Sequence, residues 1–551
     1  MKSKSGLVCF LSCLTLAIVL STPAAAAVPQ AASAADLFTN VVLPPSASTT
    51  LGPTVVRQTF VTIEFDKLRE TLPTFLGGAQ TAQSLALNLF PNTRFVAVLS
   101  RVEPTGTGYV WVGTLQGVDF SAVRLAVTRN TMAASITTPA ATYSIRHVEN
   151  GVHVVQEINL SAFPAEAPPV TPNLPAEAPP AIPNRPEIGG DDGSLIDVLV
   201  VYTPAARIAQ GGTSSIEALI DLGISETNQA YTNSGVVQRL RLVRKEETAY
   251  TESGSMSTDL GRLQNPSDGF LDSVQTLRNT YSADIVQLVE NSGDFCGIAY
   301  LMTNVSTSFA PNAFGITHYS CISPNYSFGH EMGHNMGLRH DTYVDTGSTP
   351  YPYSHGYVNQ AALVPGAATN KRWRDVMAYN DQCAASGFNC PRILYFSTPL
   401  KTYTSDILGN ANTADATRSL DDTRVVVSNF RTTTGPTVLT CDVQLNKTSF
   451  VNNEQVTAQV LRVINPTANA LAVQYNLWFE APAPYGSVPF LRAGDNGSVV
   501  FNAGFNQDFG PMPLFTVNSS LPRGNYAFNC RFLDPVTGAI KAEDLNPFTV
   551  N

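Results

Sequence analysis

The chain has 551 residues, of which 14% are charged, and its formal net charge is −10. This length allows several domains, each large enough to bury a hydrophobic core of its own. The acidic balance argues against the basic surface that nucleic-acid binding requires, so we expect no nucleic-acid partner.

Residues 1–27 have the pattern of a secretory signal peptide. Lys2 and Lys4 precede an apolar run, and small residues follow it, which predicts a cut before Val28. Two alternatives are a membrane anchor, for which the apolar run is short, and a lipoprotein cut at Cys13. No later stretch is apolar for long enough to span a membrane, so we expect a secreted, extracellular protein with no membrane span.

Residues 28–162 are predicted to be a β-rich propeptide. Alternating apolar stretches such as RQTFVTIEF, TRFVAVLSRV and GYVWVGTL predict strands. The propeptide assignment follows from the position of these residues ahead of a segment that proteases can reach. They include no cysteine, so a thiolate cannot cause latency, and the sequence names no other inhibitory residue.

Residues 163–194 form a proline-rich linker in which the hexapeptide PAEAPP occurs twice. This density of proline cannot form a packed core and predicts an extended, exposed connector. Exposed connectors are preferred sites of proteolysis, so we expect maturation to leave a new N-terminus between about residues 183 and 194.

Residues 195–432 are predicted to form a domain in which strands alternate with helices. IDVLVVYTP is a near-continuous apolar run, which is typical of a buried strand, and SSIEALIDLGISETNQAYTNS has helical spacing of its apolar residues. VVQRLRLV, FLDSVQTLRNTYS and ADIVQLVE continue the alternation. This order predicts a mixed sheet with helices packed on it.

Three of the seven histidines lie within FGHEMGHNMGLRHD, residues 328–341. A helix is predicted here, with Ser323 as its N-cap and Pro324 at its first position. Since residues four apart share one face of a helix, His330 and His334 can hold the same metal ion.

The residues around these two histidines complete a catalytic zinc site. Gly337 allows a sharp turn out of the helix, which can bring His340 back as a third ligand. Glu331 then lies beside the metal and can take a proton from a water molecule there. Three imidazoles with an open fourth position are typical of catalytic Zn²⁺. The alternative, a polar cluster on one helix by chance, does not require this spacing.

The motif HEMGHNMGLRHD resembles the zinc signature of the metzincin proteases, HExxHxxGxxH followed by a methionine turn. RWRDVMAYND supplies a candidate for that turn, Met377, and Asp341 after the third histidine is similar to the adamalysin/reprolysin branch. The order of motifs over residues 195–432 resembles bacterial reprolysin-like and peptidyl-Asp metalloendopeptidases. The resemblance implies an α+β metzincin catalytic domain with an active-site helix, a zinc cofactor and cleavage of peptide bonds.

Tyr379 follows the methionine turn by two residues, where reprolysins typically have no tyrosine and astacins and serralysins have one. The resemblance implies a fifth zinc ligand or a hydrogen-bond donor to the transition state; the alternative is a packed core tyrosine. Of the histidines outside the motif, His318 and His355 are expected to make ordinary hydrogen bonds.

CGIAYLM resembles the edge strand with which metzincins pair their substrate. Backbone pairing at such an edge provides affinity that depends little on sequence, so Gly297, Ile298 and Ala299 are candidate substrate-binding residues. The alternative, an interior strand, is disfavoured by the glycine within it.

Basic residues cluster around the methionine turn of this acidic chain: Lys371, Arg372, Arg374 and Arg392. The metzincin resemblance implies that the chain after the methionine turn lines the pocket for the residue that follows the scissile bond. An arginine in a partly desolvated pocket binds a carboxylate with two hydrogen bonds, so we predict a preference for Asp, and less strongly Glu, at that position, with Arg392 as the pocket residue. The alternative is a surface ion pair of Arg374 or Arg372 with a nearby aspartate and an apolar pocket.

Residues 433–551 contain short strands separated by turn signals, which predicts a β-sandwich of immunoglobulin-like size. Beyond the signal peptide the chain has an even number of cysteines, as expected of a disulfide-bonded exported protein. We predict that they pair in sequence order, although the sequence alone leaves other pairings open. The predicted pairs are Cys296–Cys321, Cys383–Cys390 and Cys441–Cys530.

Together these features predict a secreted zinc-dependent endopeptidase, made as a zymogen, that acts as a monomer on protein or peptide substrates. The alternative is a catalytically silent zinc-containing protein that binds or adheres through its C-terminal β-domain. Such a protein is less expected to keep Glu331 together with every zinc ligand.

Overall fold

The structure is a computed structural model, and it describes residues 36–42, 50–72, 83–105, 107–172, 191–432, 439–467, 469–482, 486–493, 499–538 and 540–551. The predicted signal peptide and residues 173–190 of the predicted linker lie outside these ranges. Within the ranges, no helix combines the length and the apolar character that crossing a membrane demands.

The N-terminal part of the described chain is an antiparallel sheet with strand order β1-β2-β9-β8-β7-β6-β5-β4-β3. Side chains alternate across it: Trp111 faces the core of this part, whereas Val110 and Val112 face the next part of the chain. Its elements are β1 (Phe38–Asn40), β2 (Val55–Ile63), α1 (Phe65–Arg69), β3 (Ser84–Phe90), β4 (Thr93–Thr105), β5 (Gly108–Leu115), β6 (Ala122–Thr128), β7 (Thr131–Thr137), β8 (Thr142–Glu149) and β9 (Val152–Ile158).

The second part contains a mixed five-stranded sheet with strand order β11-β10-β12-β14-β13. Four strands are parallel, and the short β13 is antiparallel to β14 at the edge. The strands are β10 (Leu195–Tyr202), β11 (Arg239–Glu247), β12 (Ile285–Glu290), β13 (Gly297–Ala299) and β14 (Phe314–His318), and the small hairpin β15 (Thr398–Tyr403) and β16 (Asp406–Leu408) follows them.

Helices pack on this sheet, as its sequence pattern predicts, and the structure places them on both faces. Strand β10 is buried along its whole length, with Val198 packed in the core on one face and Leu199 in the core on the other. The helices are α2 (Pro204–Ala209), α3 (Thr213–Ser234), α4 (Met256–Gln264), α5 (Asp272–Thr280), α6 (Ser327–Asn335), α7 (Asp381–Ala385) and α8 (Ala416–Val427).

Helix α3 separates the two sheets and packs on both of them. Ile216 and Ile220 of this helix share one hydrophobic core with Val198 and with Val112 of the N-terminal sheet. The N-terminal sheet is therefore packed against the second part of the chain through an apolar surface.

The histidine-bearing helix α6 begins later than the sequence predicts. Tyr326, with a left-handed φ of 60°, occupies the N-cap position, and Ser323 instead donates its hydroxyl hydrogen to Oε1 of Glu226 at 2.9 Å. The predicted N-cap at Ser323 is therefore wrong, because its hydroxyl is used by a buried carboxylate on α3.

The C-terminal part consists of two further β-sheets. One contains β17, β19, β23 and β24, the other β18, β20, β21, β22, β25 and β26, and residues of both share one hydrophobic core. The strands are β17 (Thr440–Leu445), β18 (Ser449–Phe450), β19 (Gln455–Ile464), β20 (Leu471–Ala481), β21 (Gly486–Ala493), β22 (Val499–Phe501), β23 (Asn506–Asp508), β24 (Met512–Thr516), β25 (Gly524–Leu533) and β26 (Ile540–Val550).

The structure joins the cysteines in the order that the sequence predicts. The Cys296–Cys321 disulfide links the approach to β13 with the region before α6, and Cys383–Cys390 closes the loop after the methionine turn. Cys441–Cys530 joins the two C-terminal sheets.

Candidate catalytic metal centre and cleft

The three motif histidines converge on one point. His330 and His334 lie on one face of α6, and Gly337, with a φ of 89°, turns the chain so that His340 returns to them. Each pair of Nε2 atoms among the three imidazoles is 3.1 Å apart. The ligand atoms are therefore close enough to share one ion.

Hydrogen bonds to the backbone fix which ring nitrogens carry protons. Nδ1 of His330 donates to the carbonyl of Val376 at 2.9 Å, and Nδ1 of His334 donates to the carbonyl of Leu338 at 2.8 Å. In a neutral imidazole this leaves the Nε2 lone pairs free, and they face one another. Facing lone pairs repel unless a cation lies between them, so this donor set fits Zn²⁺.

Burial keeps these imidazoles neutral, which a metal ligand requires. It lowers the pKa of His334 to about 4 and holds the pKa of His330 well below its ordinary value. The pKa of His340 is also well below its ordinary value, because of burial first and then the neighbouring imidazoles.

Two residues beside the triad hold His340 in place. The ring nitrogens of buried His355 lie 2.7 Å from the carbonyl oxygens of His340 and Gly347. Asp341 accepts a hydrogen bond from the backbone N–H of Tyr379 at 2.8 Å and so connects the third histidine to the methionine turn.

Glu331 is completely buried beside the histidines. Neither of its carboxylate oxygens has a hydrogen-bond partner within the described residues, and burial raises its pKa well above the ordinary value. It packs against the edge strand so closely that a Cβ atom on Gly297 would lie 2.7 Å from Cδ of Glu331. A carboxylate with two free oxygens and a high proton affinity is suited to act as a general base.

The methionine turn lies beneath helix α6. Met377 is fully buried, and a Cβ atom on Gly333 would lie 2.7 Å from its Sδ atom. Asp375 fixes the turn by accepting hydrogen bonds from the N–H groups of Ala378 and Ser397, each at 2.8 Å. The structure thus places Met377 where the resemblance implies an apolar floor.

The basic residues around the methionine turn have different surroundings, and Arg392 is the one that lies beside the histidines. The alternative was a surface ion pair of Arg374 or Arg372 with a nearby aspartate. Arg374 instead donates to the carbonyls of Cys390 and Ala378, and Arg372 packs over the ring of Phe388. Lys371 pairs with Asp406. Arg392 instead points towards the metal centre, where its Nη2 atom lies 3.4 Å from Nδ1 of His330.

The pocket of Arg392 contains a side chain from the N-terminal part of the chain. Both guanidinium nitrogens Nη1 and Nη2 donate to the carboxylate of Glu166, the second at 2.8 Å. Ser327 and Asn325 also donate to this carboxylate, at 2.8 and 3.4 Å. Glu166 is not among the residues predicted from the sequence, and its place in the PAEAPP repeat is the signal that could have singled it out.

The backbone around Glu166 adds a strand to the open edge of the five-stranded sheet. The N–H of Ala167 donates to the carbonyl of Gly297, and the N–H of Val170 donates to the carbonyl of Ala299, both at 2.9 Å. Val170 and Tyr300 form a parallel bridge. This half of the linker is therefore not the exposed connector that its composition predicts.

Tyr379 lies between the histidines and this added strand. Its ring packs on His340 with centroids 3.9 Å apart, and its hydroxyl donates to the carbonyls of Glu166 and Ala167 at 2.7 and 3.1 Å. The hydroxyl is thus a hydrogen-bond donor to the backbone of this added strand.

Comparison with known proteins agrees with this geometry. Residues 218–341 match the reprolysin-like family M12B of metallopeptidases. The chain is 36% identical over 424 residues to a peptidyl-Asp metalloendopeptidase of Stenotrophomonas maltophilia, covering 73% of this chain and 96% of that protein. It is 35% identical to a peptidyl-Asp metalloendopeptidase of Xanthomonas campestris, covering 58% of this chain and 72% of the relative.

Among solved structures, the crystal structure of metalloproteinase-II from Bacteroides fragilis matches with a TM-score of 0.31 and 13% identity, over 50% of this chain and 88% of that one. A zinc-binding histidine triad and close relatives along most of the sequence converge on one assignment. The chain belongs to the reprolysin-like zinc metalloendopeptidases, in the group that includes the peptidyl-Asp metalloendopeptidases.

Proposed function

We propose that this chain is the secreted zymogen of a zinc endopeptidase that cleaves peptide bonds next to an acidic residue. The observation that carries the acidic preference is the Arg392 pocket, in which a guanidinium beside the metal centre already holds a carboxylate. Relatives of this chain carry the name peptidyl-Asp metalloendopeptidase, which supports the same preference.

The catalytic step follows from the positions of the histidines and Glu331. His330, His334 and His340 would hold zinc, which when bound would supply the Lewis acidity that polarises a scissile carbonyl and acidifies water. Glu331 takes the proton of the attacking water and then delivers it to the departing amine nitrogen. Its burial beside Gly297 keeps the carboxylate next to a peptide bound along β13.

Tyr379 contributes a hydrogen bond in this scheme. Its ring stays packed on His340, and its hydroxyl donates to peptide carbonyl oxygens in the cleft. A donor at that position stabilises negative charge that develops on a substrate carbonyl. Of the alternatives that the sequence leaves open, this contact supports the hydrogen-bond donor.

The domain organisation supports a zymogen. The predicted propeptide, residues 28–162, contains the N-terminal sheet, and the predicted linker, residues 163–194, ends where β10 begins at Leu195. A signal peptide over residues 1–27 would direct the chain out of the cell. We therefore place the mature protease domain at residues 195–432.

The C-terminal residues 433–551 are proposed to form an immunoglobulin-like β-sandwich. Two sheets that share a core and a disulfide support this proposal. A silent binding or adhesion protein built on this domain is disfavoured, since Glu331 and the three histidines are all in place.

The test is digestion of an unrelated protein by the chain after cleavage in its linker, with sequencing of the fragments. We expect cleavage before Asp, and less before Glu, that stops when a zinc chelator is added and returns with zinc. Cuts mainly before Leu, Phe or Val would refute the acidic preference, and activity insensitive to the chelator would refute the zinc mechanism.

A further inference from the structure

We propose that residues Ala165–Val170 keep the intact chain inactive by occupying its own cleft as a peptide that is bound but not cut. Glu166 then fills the acid pocket, which is formed by Arg392, Asn325 and Ser327. This inference builds on the proposed acidic specificity and identifies the first occupant of that pocket. The contact is long-range, since Glu166 and Arg392 are 226 positions apart in the sequence.

The Glu166 carboxylate makes the contacts that an acidic substrate residue would need. The side chains of Glu166 and Arg392 are only 4% and 2% exposed, so the ion pair is removed from water and its hydrogen bonds are strong. The Arg392 guanidinium outweighs the effect of burial and keeps the pKa of Glu166 below its ordinary value. Since Asn325 and Ser327 also donate to it, a second carboxylate cannot enter while Glu166 is bound.

The backbone of the same segment blocks the edge strand. Besides the bonds from Ala167 and Val170, the N–H of Cys296 donates to the carbonyl of Ala165, and that of Leu301 donates to the carbonyl of Val170, both at 2.9 Å. These are the edge groups that would otherwise pair with an incoming extended peptide. The segment therefore fills the side-chain pocket with Glu166 and pairs with the backbone edge of β13 at the same time.

The hydrogen bonds that the carbonyl groups around Glu166 accept explain why the segment is not cut. An enzyme that cleaves before an acidic residue would attack the Ala165 carbonyl, but this oxygen accepts a hydrogen bond from Cys296 on the sheet edge. The next two carbonyls, of Glu166 and Ala167, accept from Tyr379. The segment runs parallel to the edge, and each of these oxygens is bound to the protein instead of being presented to the histidines.

The N-terminal sheet holds the segment at high local concentration. Its strands share an apolar core with α3, and β9 ends at Ile158, only a few residues before Glu166. Tethering of this kind makes rebinding intramolecular. Cleavage in the linker removes the covalent tether, because each of the three disulfides lies wholly beyond residue 195.

The second PAEAPP copy provides a matched control. Glu177 occupies the same position in that hexapeptide, within a stretch outside the described residues. We would compare initial rates of the unprocessed full chain as wild type, Glu166→Gln and Glu177→Gln on a fluorogenic peptide with an X–Asp bond. We expect Glu166→Gln to raise kcat/KM on the order of tenfold or more, and Glu177→Gln to behave as wild type. Equal activity of the two variants would overturn the proposal.

A second measurement does not depend on folding of the variant. Wild-type chain cut in its linker is inhibited with the synthetic peptide FPAEAPPV, residues 163–170, and with its Glu→Gln form. We expect competitive inhibition by the first and at least roughly tenfold weaker inhibition by the second, since a neutral amide loses the charge-assisted bonds. Equal potency, or no inhibition by either, would refute the inference. If the cut chain cleaves no peptide at all, it is the proposed function that fails.

Discussion

Gly297 on the edge strand touches Glu331 on the histidine-bearing helix, and a Cβ atom on Gly297 would lie 2.7 Å from the Cδ atom of that carboxylate. Gly297→Ala should therefore displace Glu331 and lower kcat about 10- to 100-fold, while the zinc content stays at one per chain. Gly261→Ala, at a half-buried position where no atom lies within 4 Å of the added Cβ, is the control. Near-normal kcat in Gly297→Ala would show that the exact position of the Glu331 carboxylate does not matter for catalysis.

Replacement of the candidate base separates catalysis from metal binding. Glu331→Gln keeps the shape of the side chain but cannot accept a proton, so we expect kcat to fall about 10²- to 10⁴-fold. Zinc content, measured by elemental analysis, should be unchanged because the ligands are the three histidines. Near-normal turnover in this variant would rule out Glu331 as the base.

Removal of the pocket guanidinium should change selectivity more than turnover. In linker-cut enzyme, Arg392→Ala should lower the ratio of kcat/KM for X–Asp over X–Asn peptides on the order of 100-fold, because the carboxylate loses its paired donors. Arg372→Ala is the control, since that guanidinium packs over the ring of Phe388. An unchanged ratio in Arg392→Ala would show that another residue recognises the substrate carboxylate.

Glu226 on α3 makes the stability of the intact chain depend on pH. Burial raises its pKa from 4.5 to about 7, although Arg124 of the N-terminal sheet acts in the opposite direction. The folded chain therefore keeps a proton that the unfolded chain releases near pH 4.5, and the free energy of unfolding falls as pH rises between about 4.5 and 7. This effect is on the order of 3 kcal/mol at its full extent.

Denaturant unfolding of wild type and Glu226→Gln between pH 4.5 and 8 checks this prediction. The Gln side chain does not titrate, so the difference in unfolding free energy between the two chains should change over that interval in favour of the variant. Glu64→Gln on the N-terminal part, at an exposed position, serves as the control. A pH-independent difference between wild type and Glu226→Gln would contradict the assignment.

The sequence predicted the metal centre well because its geometry is local. His330, His334 and His340 lie within eleven residues, and helix periodicity with one glycine turn is enough to bring them together. The start of α6 was not predictable from Ser323, because the partner of its hydroxyl is Glu226 on another helix. Local capping rules cannot detect such competition between elements.

The ion pair of Arg392 with Glu166 shows the same limit more strongly. Basic residues near the methionine turn suggested Arg392, but its partner Glu166 comes from a stretch whose proline content predicts an exposed connector. Proline removes backbone donors, yet Ala167 and Val170 retain theirs and pair with the sheet edge. A long-range contact that depends on two N–H groups and one carboxylate leaves no periodic signal.

The strand that Ala165–Val170 adds to the sheet has a consequence for solubility. An uncovered edge strand exposes backbone donors and acceptors that can pair with any extended chain, including another copy of the same protein. While this segment is attached, β13 is covered on both sides. Intact chains are thereby protected from edge-to-edge aggregation during folding, and the edge is open to another extended chain only after this segment has left it.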